Sequence, residues 1–335
     1  MLKVAVLDDY LHQSQALADW SVLRGRCALT VFDRPLGGPE ETAQALAPFH
    51  VLCHLRERTP MPRALMERLP ALACQLVTGK AHRTLDLAAA TELGIVVSHV
   101  SPPESASQAT PELAWGLILA TARHIAYEDR QVHAGAWQRT TGMLLEGKTL
   151  GLLGLGRIGQ RMAHIGRAFG MRVIAWSQNL APELAAAHGV LAVDKDTLFA
   201  QSDVLSVHLV LSARTHHLVG PAELAQMKPT ALLINTARGA IVDEPALVQA
   251  LAEGRLAGAG LDVFEAEPLP IDSPLRQLDQ VVLTPHLGYA TTDTFTRFYQ
   301  HTVQGLVAYL DGAPLGVANP DVLTRVQFRR PVSNP

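Results

Sequence analysis

The sequence predicts an α/β protein built from two doubly wound parallel sheets. Short apolar, β-branched runs alternate with helical patterns along almost the whole chain, and this alternation begins a second time near Lys148. Strands that are continuously apolar are buried on both faces, as in parallel sheets covered by helices. The chain has 335 residues, more than one hydrophobic core usually organises, so two domains are expected.

The first series of strands lies within the first hundred residues. The predicted strands are LKVAVL (2–7), ALTVF (28–32), HVLCHL (50–55), LACQLV (72–77) and IVV (95–97). Amphipathic segments at 62–69 and 85–93 separate the later strands, and Gly94 is a helix stop. This series predicts one parallel sheet with its covering helices.

A predicted helix begins at Pro111, and an irregular stretch at 124–147 leads from it to the second series. The strands of that series are TLGLL (149–153), RVIAW (172–176), VLSVHLV (204–210), ALLIN (231–235), GAGLDV (258–263) and VVL (281–283). A final helix at 292–310 has no strand left to pair with there, so it is expected to return to the first unit. Residues 1–99 and 288–335 therefore form one predicted domain and residues 100–287 the other.

Composition excludes several classes of protein. Apolar residues make up 48% of the chain and charged residues 18%, as in globular proteins, and the net charge is −3 without a basic stripe, which argues against a nucleic-acid partner. The apolar run Leu113 to Ala122 is too short to cross a membrane, and the N-terminus resembles a strand more than a signal peptide. Three cysteines without CxxC spacing favour a reducing, cytoplasmic setting and no metal.

Residues 149–176 carry a phosphate-binding pattern. Gly154, Gly156 and Gly159 form G-x-G-x-x-G between a strand and a helix predicted at 157–169. The first glycine permits a tight turn, the second lets the backbone approach a pyrophosphate, and the third allows close packing of helix and strand. The N-terminus of the helix attracts the anion, so a dinucleotide site is predicted.

The strand that follows ends without the expected acidic residue. Dinucleotide sites usually place Asp or Glu about 20 residues after the glycines to bind the ribose hydroxyls. Here Trp176-Ser177-Gln178-Asn179 follows instead. Ser177 is either the ribose contact or a plain turn residue, and the cofactor is accordingly NAD or NADP.

Polar side chains follow three later strands. Arg238 lies in NTARG, Asp262 and Glu267 in GLDVFEAEP, and His286 in TPHLG. The carboxyl ends of parallel strands form the rim at which open α/β sheets bind ligands. These four side chains are therefore expected to meet at one rim as a catalytic group.

These motifs, in this order, resemble the D-isomer-specific 2-hydroxyacid dehydrogenases, which include phosphoglycerate dehydrogenase and glyoxylate/hydroxypyruvate reductases. The segments TPELAWGLILATAR (110–123) and TLDLAAATELGIVV (84–97) extend the resemblance over most of the chain. It implies a Rossmann NAD(P)-binding domain inserted into a flavodoxin-like substrate domain. It also implies hydride transfer between NAD(P)(H) and C2 of a D-2-hydroxy or 2-keto acid.

The resemblance assigns roles to three of these residues. Arg238 binds the substrate carboxylate, for which a planar guanidinium is suited. His286 exchanges the proton of the C2 oxygen as acid/base, and Glu267 orients the imidazole and stabilises its charged form. Each has an ordinary structural explanation on its own, but the order and spacing of all three favour catalysis.

Further contacts follow from the same resemblance. Expected at the cofactor are Arg157, Ile158, Thr236, Ala237, Asp262 and Gly288, together with the three glycines and Ser177. Gly79 and Lys80 are expected at the substrate carboxylate. Arg56 either meets the far end of the substrate or is a solvated charge beside Glu57. The chain departs from the common pattern at Val210, where proline is usual, and in the loop 80–82.

A homodimer with a contact in segment 124–147 is also implied by the resemblance. A protein of another class on the same fold, a corepressor that senses a dinucleotide, remains the alternative because it would keep the same pocket. Against it, the sequence has no basic or low-complexity recruitment tail after the final helix.

Overall fold

A computed structural model describes residues 1–79, 82–100 and 108–325. It contains two compact units, Met1–Ser105 with Thr291–Pro335, and Ala106–Ala290. The predicted boundaries at 99/100 and 287/288 lie a few residues from these divisions. Each unit contains one sheet, of five strands and of seven strands, and every pair of neighbouring strands is parallel. The predicted fold class is confirmed.

The strands of the first unit are β1 (Leu2–Val6), β2 (Cys27–Val31), β3 (Val51–His54), β4 (Cys74–Val77) and β5 (Val96–His99), in the order β2-β1-β3-β4-β5. Its first helices are α1 (Ser14–Leu17), α2 (Pro39–Leu46), α3 (Arg63–Met66) and α4 (Leu87–Glu92), with 3-10 turns at Trp20–Leu23 and Pro320–Thr324. The order of the strands reverses between β1 and β3, so the segments after these strands border the crevice in which such sheets bind ligands.

Burial explains why the apolar runs of this unit form strands. Every residue of β3 and β4 is buried, as expected for central strands covered on both faces. Leu52 and Val77 belong to one buried apolar cluster with Leu46, Met66 and Leu69. Hydrophobic burial therefore stabilises the sheet whose carboxyl edge carries the loops discussed below.

The C-terminal helix Thr292–Leu310 belongs to the first unit. Thr291 caps it by accepting a hydrogen bond from Thr294 N at 3.2 Å. The hydroxyl of Tyr299 donates to Asp9 Oδ1 at 3.2 Å, next to the end of β1. The final helix therefore packs in the first unit, as expected from the lack of a further strand in the second series.

The strands of the second unit are β6 (Thr149–Leu153), β7 (Arg172–Trp176), β8 (Leu191–Ala192), β9 (Val204–Val207), β10 (Leu232–Asn235), β11 (Gly258–Leu261) and β12 (Val281–Leu283). Its helices are α5 (Ala109–Ala122), α6 (Ile125–His133), α7 (Arg157–Ala168), α8 (Pro182–Ala187), α9 (Lys195–Gln201), α10 (Pro221–Gln226) and α11 (Glu244–Ala252), with 3-10 turns at Gly239–Ile241 and Pro274–Gln277. The strand order is β12-β11-β10-β9-β6-β7-β8, which reverses between β9 and β6.

Two elements of this unit differ from the sequence expectation. Helix α6 lies in the stretch that the sequence predicts to be irregular, and strand β8 was not predicted. No residue of α6 is buried, so its sequence lacks the apolar stripe by which a packed helix is recognised. Strand β8 contains two residues, too few for any periodicity to be visible.

The remaining sequence expectations concern cysteines and membranes. Cys53 and Cys74 are buried, and Cys27 is partly buried; desolvation raises the pKa of the Cys53 and Cys74 thiols. In the part of the chain that the structure describes, no helix has the length and hydropathy needed to cross a membrane.

Candidate active site

The glycine turn lies between β6 and α7, at the reversal point of the seven-stranded sheet. Gly154 has φ +107°, and a Cβ at this position would lie 2.8 Å from the carbonyl oxygen of His208. A Cβ on Gly159 would overlap the carbonyl oxygen of Gly154, so helix and turn pack too closely for any side chain. Gly156, the residue before α7, has no atom within 4 Å of its Cβ position. An open backbone cradle thus faces the start of a twelve-residue helix.

Ser177 lies beside this cradle. It follows the last residue of β7, Trp176, whose carbonyl oxygen accepts a hydrogen bond from Gly154 N at 2.9 Å. The Ser177 carbonyl closes a turn with Leu180 N at 3.0 Å, and its side chain is partly exposed. A hydroxyl therefore stands at the position where a carboxylate is usual.

The segment after β10 brings Thr236, Ala237 and Arg238 to the same edge of the sheet. Asn235 shapes it, because its Oδ1 accepts from Ala237 N at 3.0 Å and its Nδ2 donates to the Arg238 carbonyl at 2.9 Å. Thr236 is buried, and its Oγ1 has no hydrogen-bond partner among the described residues. A buried hydroxyl without a partner is costly unless a ligand completes it.

The open Gly156 position and the unpartnered hydroxyl of Thr236 test whether a dinucleotide fits this edge. Gly156 follows β6, which borders the reversal point, and Thr236 follows β10, the neighbour of β9, so both lie at the carboxyl edge where dinucleotides bind in this type of sheet. Backbone donors at the start of α7 suit the pyrophosphate. The residues present fit the group.

Asp262 organises the segment after β12. Its Oδ1 accepts hydrogen bonds from Thr284 Oγ1 at 2.6 Å and Leu287 N at 2.7 Å, and its Oδ2 accepts from Gly288 N at 2.8 Å. Burial raises the pKa of the Asp262 carboxyl, and these hydrogen bonds oppose that rise. Thr110 Oγ1 donates to the Gly288 carbonyl at 2.7 Å, which fixes the same segment from α5.

Glu267 and His286 form a hydrogen-bonded pair. Glu267 Oε2 lies 2.7 Å from His286 Nδ1, and Glu267 Oε1 accepts from Phe264 N at 3.0 Å. His286 has φ +56°, an uncommon backbone for a residue other than glycine, and its N–H donates to the Asp262 carbonyl at 2.9 Å. The backbone thus holds the imidazole against the carboxylate.

The electrostatics of this pair set the proton on the imidazole. Burial alone would raise the pKa of the Glu267 carboxyl, and the hydrogen bond and charge of His286 oppose that rise. Phe264 N and the charge of Arg238 act in the same direction, so the pKa of Glu267 lies below its usual value. An ionised Glu267 only accepts, so Nδ1 of His286 carries a proton and Nε2 is the nitrogen left for a reactant.

The structure brings Arg238, Asp262, Glu267 and His286 together within the second unit. Arg238 Nη1 donates to the Ala237 carbonyl at 2.6 Å, and its charge acts on Glu267. Sequence reasoning missed the residues that orient this group, Asn235, Thr110 and the backbone of Phe264. Asn235 directly precedes the TARG segment at the end of a strand, which is the one signal that could have indicated its role.

In the first unit, Arg56 and Gly79 lie against each other at the carboxyl edge of the sheet. Gly79 has φ +102°, and a Cβ there would overlap Nη1 of Arg56. Arg56 N donates to Thr78 Oγ1 at 2.8 Å, and His99 Nδ1 donates to the Gly79 carbonyl at 3.0 Å. Only glycine therefore allows this approach of the guanidinium. Lys80 lies outside the described residues.

Comparison with known proteins gives consistent matches. Residues 115–288 match the family model described as D-isomer specific 2-hydroxyacid dehydrogenase, NAD binding domain. The chain is 42% identical over 277 residues to a glyoxylate reductase of Aeropyrum pernix, an alignment that covers 80% of this chain and 81% of that protein.

Two solved structures extend the likeness to the fold. A phosphoglycerate oxidoreductase from Vibrio cholerae superposes with a TM-score of 0.87 at 36% identity, covering 93% of this chain and 100% of that one. An acyclic imino acid reductase in complex with NADPH and D-Arg superposes with a TM-score of 0.73 at 26% identity, covering 94% and 99% of the two chains.

Proposed function

The chain belongs to the D-isomer specific 2-hydroxyacid dehydrogenase family, and we propose that it reduces a 2-keto acid such as glyoxylate through Arg238, Glu267 and His286. It is an NAD(P)-dependent 2-hydroxyacid dehydrogenase or 2-keto acid reductase. The observation that carries the proposal for the residues is the 2.7 Å hydrogen bond between an ionised Glu267 and Nδ1 of His286. It leaves Nε2 of His286 as the nitrogen that can exchange a proton with the reactant.

Each residue then has a chemical task. The guanidinium of Arg238 binds the substrate carboxylate and polarises the C2 carbonyl. The imidazolium of His286 gives the Nε2 proton to the carbonyl oxygen as the C2–O bond becomes single, and it is left neutral. Glu267 holds the ring and stabilises its charged form before the transfer. Bound NADH or NADPH supplies the hydride that completes the C–H bond at C2.

We assign cofactor binding to the edge of the seven-stranded sheet. The glycines at 154, 156 and 159, with Arg157 and Ile158 at the start of α7, would hold the pyrophosphate. Ser177 would meet the ribose, Thr236 and Ala237 the cofactor beyond β10, and Asp262 and Gly288 the carboxamide end. Ala106–Ala290 is accordingly the proposed dinucleotide-binding domain.

We assign substrate binding in the first unit to Gly79 and Arg56. The Gly79 backbone is held by His99 from one side and touched by the Arg56 guanidinium from the other. This arrangement suits a small anionic substrate, because it combines a backbone turn with a positive charge. Met1–Ser105 with Thr291–Pro335 is the proposed substrate-binding domain.

We further assign a homodimer contact to segment 124–147. Ile125, Val132, Trp137 and Leu144 are each more than half exposed, and exposed apolar side chains that lie together mark interaction surfaces. Trp137→Glu should convert a dimer into a monomer in light scattering after gel filtration, whereas His133→Ala on the same segment should not. A wild-type monomer would reject this contact.

The function is tested by a panel of 2-keto acids assayed with NADH and with NADPH through the nicotinamide absorbance. Glyoxylate and pyruvate should be reduced, whereas acetone, which has the keto group of pyruvate without its carboxylate, should not. Turnover of acetone as fast as pyruvate would contradict the carboxylate clamp. No turnover of any 2-keto acid would contradict the function and favour a binding protein.

A further inference from the structure

The turn that carries Glu267 has a second anchor outside the catalytic group. Two residues before Glu267, the carboxylate of Glu265 lies 2.6 Å from Nε2 of His217, measured to its Oε1. The N–H of Glu265 donates to Oε2 of Glu244 at 3.1 Å. His217 belongs to the segment between β9 and α10, to which no role has been assigned above. The pair therefore connects the turn 264–268 to a separate part of the second unit.

The backbone of His217 is attached to a different segment, the one that follows Arg238. His217 N donates to the Ala240 carbonyl at 2.9 Å. Two residues later, Val219 N donates to the Ile241 carbonyl at 3.0 Å. Residues 217–219 thus run along residues 240–242, and backbone hydrogen bonds hold the two segments together.

The segment after Arg238 in turn touches the turn that carries Glu267. A Cβ on Gly239 would overlap the carbonyl carbon of Phe264, so the two backbones are in direct contact. His217 therefore stands at a junction of three segments. Its backbone holds the segment after Arg238, and its side chain holds the turn before Glu267.

Stability alone does not account for this arrangement. The side chains of His217 and Glu265 are 38% and 32% exposed, and ion pairs with such exposure contribute little to the free energy of folding. His217 also has φ +50°, an unfavourable backbone for a residue other than glycine, of a kind that concentrates at functional sites. Its side chain also lies near Asp243, whose Oδ2 is 4.0 Å from Nδ1, and near the ring of His216, which is tilted by 32° with the centroids 4.0 Å apart.

We propose that His217 is a positioning residue that, through Glu265, holds the turn 264–268 against the segment after Arg238 and keeps Glu267 aligned with His286. This inference rests on the proposed function. Oε1 of Glu267 is bound by Phe264 N of the same turn, so a shift of the turn moves the carboxylate itself. A displacement well below 1 Å is enough to slow a reaction that depends on this alignment, because misplacement by 1 Å can cost about 10²-fold.

The test compares His217→Leu with His217→Gln, because the amide of Gln can still donate to Glu265 and Leu cannot. His217→Leu should lower kcat about tenfold and leave the KM values for keto acid and cofactor within about twofold. The pH profile of reduction by His217→Leu should move to lower pH, because a displaced Glu267 carboxylate stabilises the charged imidazole less. His217→Gln should keep at least half of the wild-type kcat. His216→Leu, which removes the neighbouring ring without breaking a described side-chain hydrogen bond, is the matched control.

Three results would overturn the inference: a wild-type kcat and pH profile in His217→Leu, equal losses in the Leu and Gln variants, or a raised KM for the cofactor with unchanged kcat. If His217→Leu does not fold, Glu265→Leu and Glu265→Gln make the same comparison from the other side of the pair. His286→Ala in the same assay separates the two claims. An active His286→Ala enzyme contradicts the proposed function, whereas an inactive one beside a normal His217→Leu contradicts only the role of His217.

Discussion

Replacing Glu267 by Gln removes one negative charge from beside His286 and keeps the length of the side chain. The carboxylate and the imidazole lie 2.7 Å apart, and their side chains are 35% and 33% exposed. Two unit charges at about 4 Å interact with about 1 kcal/mol in water and about 4 kcal/mol near a protein surface. Solvent screening of a pair with this exposure favours the lower part of that range, about 1–2 kcal/mol.

That energy sets the size of the expected pH shift. About 1.4 kcal/mol corresponds to one pH unit, so the loss of the carboxylate charge should move the pH profile of the reaction by about one unit. Reduction requires the protonated ring, so the rate of reduction falls as the pH rises. The alkaline limb of the reduction profile should therefore move about one unit to lower pH in Glu267→Gln.

The assay is kcat/KM for the best 2-keto acid between about pH 5 and pH 10 with saturating cofactor. The control is Glu253→Gln, which neutralises a carboxylate of the same unit that pairs with Arg255 and lies in another segment. The control should keep the wild-type profile. An alkaline limb that does not move in Glu267→Gln would refute the coupling between the carboxylate and His286.

Three further predictions concern the substrate clamp, the cofactor and stability. Arg238→Lys should lower kcat/KM for the keto acid about 100-fold despite keeping the charge, because an ammonium cannot form the planar bidentate contact. Wild-type kinetics in this variant would contradict the binding of the substrate carboxylate by Arg238. Because Ser177 carries no charge, the kcat/KM values of the wild-type enzyme for NADH and NADPH should lie within about 100-fold of each other. Ser177→Asp should raise the KM for NADPH. A wild-type enzyme selective for NADH by more than about 1000-fold would reject the role of Ser177 in cofactor selectivity. Burial alone would raise the pKa of Asp203, but Lys228 and Thr149 N act in the opposite direction, and the pKa lies below its usual value. Asp203 therefore stabilises the fold above the carboxyl's unfolded pKa, and this contribution is lost as the pH falls through the lowered folded value. Asp203→Asn should then cost about 1–3 kcal/mol in urea unfolding at pH 7 and less below about pH 4, and equal midpoints at pH 7 would contradict it.

Much of the fold could be predicted because its strands are continuous apolar runs. Strands β6, β7 and β12 and the C-terminal helix Thr292–Leu310 begin and end at the predicted residues. Helix α6 was missed because none of its side chains is buried, and periodicity reports only burial. Strand β8 was missed because two residues carry no pattern.

The candidate site could be predicted where its chemistry resides in side chains with characteristic motifs. Arg238, Glu267 and His286 follow apolar strands in such motifs, and Glu267 and His286 are hydrogen-bonded to each other; their catalytic roles stay a prediction. Contacts made through the backbone could not be predicted, because no residue type encodes them. The Phe264 N–H on Glu267 and the meeting of Gly239 with residue 264 depend on how two turns approach each other.

The most direct measurement of the central claim is the turnover of His286→Ala with the best 2-keto acid, together with cofactor binding by titration. Loss of a general acid costs about 10²–10⁴-fold in rate, so kcat should fall within that range while the Kd for the cofactor stays within about twofold. His133→Ala, an exposed histidine on α6, should keep the wild-type rate. A His286→Ala enzyme that retains more than about a third of wild-type turnover would contradict the proposal that His286 supplies the proton.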